Sequence, residues 1–127
     1  MMILLVDDDP DIRESAQSML ELYGFDVRTA EHGRAALDLM NSGFKPDVVL
    51  LDLMMPVLNG IEFLRIIRGD PRFSRMRVVV CTAFADMGRQ LRAEHLPFHA
   101  LFEKPIDFGQ LVTVLREGNG NHRSWRA

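Results

Sequence analysis

The sequence has little of what disulfide-linked, membrane-spanning or nucleic-acid-binding proteins require. Its 127 residues include one cysteine, Cys81, which excludes an internal disulfide framework and is typical of a reducing compartment. No apolar stretch approaches the length of a membrane span. The formal net charge is -3, so the chain lacks the basic character of a protein that binds nucleic acid or a membrane surface.

The beginning of the chain also lacks targeting features. It has no basic segment and no cleavage-site pattern, and it runs directly into apolar residues. We therefore expect a cytoplasmic protein without a signal peptide. The length is that of one domain, and 47% hydrophobic residues suffice for a single core. We assign residues 1–118 to this domain and residues 119–127, which show no periodicity, to a flexible C-terminal tail.

Five short apolar runs have the composition of β-strands. Most of them are continuous rather than alternating, which is typical of strands buried on both faces of a parallel sheet. The most informative run is residues 47–52, because it rises through aliphatic residues to a single carboxylate, Asp52. The predicted strands are residues 2–6, 25–30, 47–52, 77–82 and 100–103.

A helical spacing of apolar residues follows each predicted strand. Asp9 before Pro10 predicts one helix start, and Asn59 with Glu62 has the capping-box pattern of another. The fourth helix is predicted to be weak because Gly88 lies inside it and its apolar stripe is thin. The predicted helices are residues 10–23, 33–42, 60–68, 86–94 and 108–117. This alternation predicts an α/β fold, a doubly wound five-stranded parallel sheet with helices on both faces.

Polar side chains follow four of the five predicted strands. Asp7 and Asp8 follow the first strand, Asp52 ends the third, Thr82 ends the fourth, and Lys104 follows the fifth. The carboxyl ends of parallel strands share one edge of a sheet, where such folds place their ligands. We therefore expect these side chains to converge there.

The chemistry of these residue types suits phosphoryl transfer. Crowded carboxylates repel one another and, as all-oxygen ligands, select a hard cation such as Mg²⁺. An aspartate carboxylate can attack phosphorus and hold the phosphoryl group as an acyl phosphate. The hydroxyl of Thr82 and the ammonium of Lys104 suit the remaining phosphoryl oxygens.

Four motifs, in this order and spacing, resemble the receiver domain of two-component response regulators, of the single-domain chemotaxis-regulator type. The likeness covers about residues 2–117. The motifs are Ile3-Leu4-Leu5-Val6-Asp7-Asp8-Asp9, Asp47-Val48-Val49-Leu50-Leu51-Asp52-Leu53-Met54-Met55-Pro56 with Asn59-Gly60, Val79-Val80-Cys81-Thr82-Ala83, and Lys104-Pro105. The resemblance implies a flavodoxin-like sheet with strand order 2-1-3-4-5.

The resemblance also implies a magnesium site. Asp52 matches the phosphoacceptor of the family and contributes to the metal site. Asp8 matches the direct Mg²⁺ ligand, and Asp7 matches its neighbour that acts mostly through water. The backbone carbonyl of Met54 matches a further protein ligand.

The phosphoryl group and its source are implied in the same way. Thr82 matches the hydroxyl that contacts the phosphoryl group and moves on activation, and Lys104 matches the pairing cation, with a cis peptide before Pro105. A sensor histidine kinase or histidine phosphotransfer protein would supply the group to Asp52. We expect a signalling switch that catalyses only its own phosphorylation and dephosphorylation. We also expect a monomer or weak dimer with an unidentified protein target, without nucleic acid or membrane binding.

Three features depart from the family pattern. Leu101 stands where the family has Tyr, Phe or His, although Phe102 is adjacent. Residues 96–100 replace the usual small, Gly-containing turn. Met54 and Phe84 are bulky and non-acidic, from which we predict hindered attack by water and a longer-lived phosphoryl group.

Two other functions fit parts of the pattern. A haloacid-dehalogenase-type phosphatase would use Asp7 and Asp9 as its Asp-x-Asp pair, but it leaves Asp52 unexplained and needs a further acidic pair after Lys104. A non-enzymatic adaptor would signal by docking alone. Whether the chain is free-standing or part of a larger protein stays open.

Two further groups of residues receive simpler interpretations. Five arginines near one predicted loop are interpreted as a solvated face: Arg65, Arg68, Arg72, Arg75 and Arg77. The four histidines share no metal-ligand spacing and are expected at the surface: His32, His95, His99 and His122.

Overall fold

The computed structural model describes residues 1–84 and 86–117. The strands are β1 (Met2–Val6), β2 (Asp26–Ala30), β3 (Val48–Asp52), β4 (Arg77–Thr82) and β5 (Ala100–Glu103). The helices are α1 (Pro10–Leu22), α2 (Gly33–Asn41), α3 (Gly60–Arg68), α4 (Asp86–Ala93) and α5 (Phe108–Arg116). The predicted tail, residues 119–127, lies outside the described residues. None of these five helices is long and apolar enough to cross a membrane.

The five strands form one parallel sheet in the order β2-β1-β3-β4-β5. This confirms the predicted architecture and strand order. In the register, Val6 lies beside Leu51, Asp52 beside Cys81 and Thr82 beside Glu103. The carboxyl ends of four strands therefore meet at one edge, as the sequence predicted.

Where element boundaries differ from the predicted ones, they differ by one residue. β2 begins at Asp26 because the N–H of Phe25 donates to Leu20 O (3.2 Å) and so ends α1 rather than pairing in the sheet. β3 begins at Val48, and the side chain of Asp47 instead accepts from Met2 N at 2.7 Å. The weak fourth helix forms, with only Gly88 and Leu91 buried.

The sheet separates two apolar layers, because successive strand residues point to opposite faces. In β3, Val49 and Leu51 face one layer while Val48 and Leu50 face the other. The first layer is covered by α2, α3 and α4, and the second by α1 and α5. Both faces of β3 are buried, which explains its continuous aliphatic sequence.

Side-chain caps confirm the predicted helix starts. Asp9 accepts from the N–H groups of Asp11 and Ile12 at the start of α1. Asn59 and Glu62 form both hydrogen bonds of a capping box at the start of α3. These caps satisfy backbone donors that a helix leaves without partners, and they fix the points where the chain leaves the polar edge of the sheet.

The expectation that the histidines lie at the surface is wrong for His99. This side chain is 7% exposed, and its Nε2 lies 3.1 Å from Arg77 Nη2. His32 is partly buried and caps α2, since its Nδ1 accepts from Ala35 N at 3.1 Å. The prediction for His122 falls outside the described residues.

Candidate functional site

Three carboxylates meet at the carboxyl edge of the sheet. Asp52 ends β3, and Asp7 directly follows β1, whose last residue pairs beside Leu51. One carboxylate oxygen each from Asp7, Asp8 and Asp52 lies within 4.8 Å of the others. Asp7 and Asp52 are 4% and 6% exposed, whereas Asp8 is exposed. The structure thus combines two buried carboxylates with one that faces solvent.

Lys104 holds the two buried carboxylates together. Its Nζ lies 2.8 Å from Asp7 Oδ2 and 3.5 Å from Asp52 Oδ2. The backbone N–H of Lys104 donates to Thr82 O at 2.9 Å, which anchors the segment after β5 to the end of β4. The Lys104-Pro105 peptide is cis, as the resemblance implied. A single cation therefore offsets part of the repulsion between two acids.

The site shifts the ionisation of its own members. Burial raises the pKa of Asp52, the charge of Lys104 and the N–H of Met54 lower it, Asp7 raises it, and the net shift is upward. For Lys104, burial lowers the pKa but its contacts with Asp7 and Asp52 raise it more, so the net shift is also upward. The lysine is thus held as a cation by the acids that it bridges.

Thr82 lies at the end of β4 and is fully buried. Its Oγ1 accepts from the N–H of Phe84 at 3.1 Å, so the hydroxyl is tied to the following loop. The preceding residue, Cys81, is a buried free thiol, and burial raises its pKa to about 12. A thiol with this pKa is not an active nucleophile at neutral pH, which leaves oxygen chemistry for the site.

The loop after β3 brings backbone groups close to Asp52. The N–H of Met54 donates to Asp52 Oδ1 at 3.1 Å. Farther along, Val57 has φ of 68° and Leu58 N donates to Pro56 O at 2.7 Å, the geometry of a tight three-residue turn. Gly60 closes the loop, because its N–H donates to Leu53 O at 3.0 Å.

Arg13 is a site residue that no sequence pattern indicated. Its Nη1 donates to the backbone carbonyl of Asp7 at 2.7 Å, from the second turn of α1. Asp7 Oδ1 also accepts from the N–H of Asp9 at 3.0 Å. The carboxylate and carbonyl of Asp7 are therefore both fixed, which explains why it stays oriented toward Lys104.

Asp9 does not join the carboxylate cluster. Its Oδ1 accepts from two N–H groups of the first turn of α1, so it serves as a helix cap. The group of acids close enough to hold one metal ion contains Asp7, Asp8 and Asp52 in the described part of the chain. This arrangement disfavours the phosphatase alternative, which requires Asp7 and Asp9 to act as a pair.

The donor set fits a hard divalent cation. All three side chains offer carboxylate oxygens, which suit Mg²⁺ or Ca²⁺ better than softer metals. The third acid is exposed, so an ion could enter from solvent and keep several waters, as Mg²⁺ prefers. The described residues thus support a metal-binding acidic site, with Met54 adjacent through its hydrogen bond to Asp52.

Leu101 and Phe102 lie on opposite faces of β5. Leu101 is 4% exposed and packs in the layer under α4, whereas Phe102 packs partly against the α1–α5 layer. A Cβ added to Gly88 of α4 would lie 2.7 Å from Leu101 Cδ1. Because strand residues alternate between faces, the neighbouring aromatic at 102 cannot replace the one that the family has at 101.

Relief of charge repulsion leads to a stability prediction. In protein stripped of metal with EDTA, Asp8→Ala is expected to raise the melting temperature by several degrees, corresponding to about 1 kcal/mol. Scanning calorimetry of the two proteins measures this. Asp26→Ala, which removes an exposed acid at the start of β2, should leave the temperature nearly unchanged. An equal or lower value for Asp8→Ala would contradict the proximity of these acids.

Comparison with known proteins agrees with this geometry. The family model for the response regulator receiver domain matches residues 3–116. The chain is 42% identical over 115 residues to the transcriptional regulatory protein CpxR homolog of Haemophilus influenzae, and 46% identical over 114 residues to the response regulator MprA of Mycobacterium tuberculosis. Each match covers 90% of this chain and 48% of the relative. The chain thus spans about half the length of these relatives.

Solved structures give the same result. A sensor protein from Polaromonas sp. JS666 superposes with a TM-score of 0.82 at 31% identity, covering 90% of this chain and 91% of that one. The response regulator TrrA of Thermotoga maritima, solved in complex with Mg(2+)-BeF, superposes with a TM-score of 0.78 at 30% identity, covering 91% and 96%. From its sequence, sheet order and clustered carboxylates, the chain belongs to the response regulator receiver domain family.

Proposed function

We propose that this chain is a phosphorylation switch in which Asp52 accepts a phosphoryl group in a Mg²⁺-dependent reaction. The observation that carries the proposal is the bridging position of Lys104, 2.8 Å from Asp7 and 3.5 Å from Asp52. A cation in this position can offset the charge that accumulates when a phosphoryl group approaches acidic residues.

The donor in this proposal is a phosphohistidine of a sensor histidine kinase or histidine phosphotransfer protein. An Asp52 carboxylate oxygen attacks phosphorus, an O–P bond forms, and the N–P bond to the donor imidazole breaks as that nitrogen takes up a proton. Lys104 neutralises a phosphoryl oxygen while it keeps its contact with Asp7. Burial raises the pKa of Asp52, whereas Lys104 and the N–H of Met54 oppose that rise and favour the ionised, nucleophilic carboxylate.

A divalent cation would be held by Asp7, Asp8 and Asp52, with the Met54 carbonyl as a further ligand. When bound, it would supply charge neutralisation and orientation of the incoming phosphoryl oxygens. The carboxylates of the chain bind and position this ion, and two of the three are already shielded from water. The related regulator TrrA was solved in complex with Mg(2+)-BeF, which supports a magnesium site in this chain.

The switch itself involves Thr82. Its hydroxyl oxygen now accepts from the N–H of Phe84, and we propose that it instead donates to a phosphoryl oxygen once Asp52 is modified. Loss of the Phe84 contact frees the β4–α4 loop and biases the surface around α4 that a protein partner reads. The buried Leu101 means that this surface responds without an aromatic side chain at that position.

Two residues next to the site bear on the lifetime of the phosphoryl group. The backbone N–H of Met54 donates to Asp52 and that of Phe84 donates to Thr82, so both side chains lie beside the site. Met54 and Phe84 are 51% and 55% exposed, and neither has a group that can orient a water molecule for attack. We propose that they slow hydrolysis. The switch acts in the cytoplasm and catalyses only reactions of its own Asp52.

Labelling with a small phosphodonor such as acetyl phosphate tests this function. In excess MgCl₂, intact-protein mass spectrometry should show addition of one phosphoryl group, which EDTA abolishes. The Asp52→Asn protein should show none, because an amide cannot form the acyl phosphate.

Asp7→Asn separates this reaction from the alternatives. It should lower labelling strongly but leave the remaining label on Asp52. Label that persists in Asp52→Asn and disappears in Asp7→Asn would establish the phosphatase chemistry. Wild-type protein that binds Mg²⁺ but never takes up the group would favour the adaptor.

A further inference from the structure

A cleft of about 960 Å³ opens at the amino-terminal edge of the sheet, opposite to Asp7, Asp8 and Asp52. Its walls are the amino ends of β3, β4 and β5 together with the segment that joins α3 to β4. Three prolines give it rigid sides: Pro46, Pro71 and Pro97. The charged lining residues are four arginines and one acid: Arg68, Arg72, Arg75, Arg77 and Asp47. In a chain with net charge -3, this is a local concentration of positive charge.

Arg68 is fixed in this cleft by backbone carbonyls. Its Nε donates to Pro97 O at 3.0 Å, and its Nη1 donates to Met76 O at 2.6 Å and Ser74 O at 3.3 Å. No carboxylate among the described residues lies within 4.0 Å of it. The guanidinium is half-buried, and burial lowers its pKa. It is not a solvated side chain, contrary to the sequence-based interpretation.

Arg77 is also fixed by backbone carbonyls, in this case those at the end of α5. Its Nη1 donates to Leu115 O at 3.0 Å and its Nη2 donates to Val114 O, at the end of α5. Its Nε is buried and makes no hydrogen bond with the described residues. Burial lowers the pKa of this guanidinium, and the charge of Glu117 only partly opposes that shift. Its Nη2 also lies 3.1 Å from His99 Nε2, and no carboxylate of the described residues lies within 4.0 Å of it.

The remaining charged groups offset only part of this potential. Arg72 is neutralised by Asp70, whose Oδ2 lies 2.7 Å from Arg72 Nη2. Asp47 is the acid of the lining, and its Oδ2 accepts from Met2 N, which fixes the carboxylate but leaves its single negative charge. Arg75 is exposed, and within residues 1–84 and 86–117 it forms neither an ion pair nor a hydrogen bond. Arg68 and Arg75 thus line the cleft with no carboxylate of the described residues within 4.0 Å, and Arg77 has only the more distant charge of Glu117 near it.

We propose that this cleft binds a small ligand that carries two or more phosphoryl groups, through Arg68, Arg75 and Arg77. The guanidinium of Arg75 can give paired, charge-assisted hydrogen bonds to phosphate oxygens. Arg68 has Nη2 left to donate, whereas Arg77, whose two Nη groups donate to carbonyls of α5, contributes mainly its charge. The arginines of the lining outnumber its acid, and this excess of positive charge favours a multivalent anion over a single phosphate. The volume is at the upper end of the range for small-molecule sites, which accommodates an oligophosphate. The ligand site is separate from Asp52 and does not depend on its phosphorylation.

Titration calorimetry of the full chain with sodium tripolyphosphate tests this, with EDTA present so that no metal bridges the acids. Saturable binding of one tripolyphosphate per chain is expected, weakening as salt is added. Arg75→Gln should weaken binding about tenfold, the effect of losing one charge-assisted contact. The Arg75→Gln substitution removes no side-chain hydrogen bond or ion pair within the described residues. Arg89→Gln makes the same change in charge on α4, where the side chain is 83% exposed, and should leave affinity nearly unchanged.

Backbone NMR shifts locate the ligand. Changes should cluster at residues 74–78 and 97–99 in the wild type and in Asp52→Asn alike. The proposal is overturned by any of three results: no saturable binding, an equal loss in Arg75→Gln and Arg89→Gln, or shifts centred on Lys104. Tighter binding of a hexaglutamate peptide than of tripolyphosphate would also overturn it, and would reassign the cleft to an acidic protein partner.

Discussion

Replacement of Lys104 with methionine is expected to lower the free energy of unfolding of the metal-free protein by about 3 kcal/mol. The side chain is 16% exposed and pairs with Asp7 and Asp52, which are 6% and 8% exposed as side chains. Methionine preserves most of the side-chain volume, so the loss of stability measures the effect of removing the positive charge. Its removal leaves two buried carboxylates beside each other with no cation, and buried charges without partners are strongly destabilising.

Urea denaturation with EDTA measures this effect, and magnesium gives it a second, independent signature. Excess MgCl₂ should restore part of the lost stability, because a divalent cation held by the same carboxylates replaces the missing charge. Lys45→Met is the matched control, since Lys45 is exposed and forms no ion pair with the described residues. A loss below about 1 kcal/mol, as for a surface ion pair, would contradict the buried bridge.

Gly60→Ala is expected to cost about 3 kcal/mol, at the upper end of the range for overpacking a tight site. A Cβ at Gly60 would contact the carbonyl oxygen of Asp52 and lie 2.6 Å from Leu53 Cα. Both are backbone atoms at the end of β3, so they cannot move aside as the tip of a flexible side chain can. The added methyl group must displace the strand end that carries Asp52.

The matched control lies at the other end of the same helix. Gly69 has φ of -87°, and a Cβ there would meet its nearest atoms at 3.6 and 3.7 Å, which is ordinary contact. Gly69→Ala should therefore change stability by less than about 1 kcal/mol. Phosphoryl uptake from acetyl phosphate should fall in Gly60→Ala and stay at the wild-type level in Gly69→Ala. Equal stability of the two variants would contradict the close approach of α3 to β3.

Local patterns predicted the elements because the information for them lies within a few neighbouring residues. The continuous aliphatic run of β3 indicates a strand buried on both faces, and Asp9, Asn59 and Asp107 cap the helices that they precede. The convergence of Asp7, Asp52 and Lys104 followed from one additional fact, that parallel strands align their carboxyl ends. The boundary errors were of one residue, and at Phe25 the error arose because a helix-ending hydrogen bond replaced strand pairing.

Some features were outside the reach of such patterns. The role of Arg13 depends on a hydrogen bond to the carbonyl of Asp7, which carries no side-chain signal. From the sequence, the arginines near residue 70 were interpreted as a solvated face. In the structure, Arg68 and Arg77 are half-buried and donate hydrogen bonds to carbonyls of distant segments. Periodicity describes which face of an element is apolar, but it does not say which other element covers that face.

The sequence by itself determined the order of strands and helices, the family, and the five polar residues at one edge of the sheet. Only the tertiary structure decided that Lys104 approaches Asp7 more closely than Asp52, a contact between residues 97 positions apart. It also decided that Phe102 faces away from Leu101's layer and that a cationic cleft lies opposite the acids. Such distances depend on how whole elements pack, because small changes in the placement of a helix or strand change which side chains meet, whereas local sequence determines only the elements themselves.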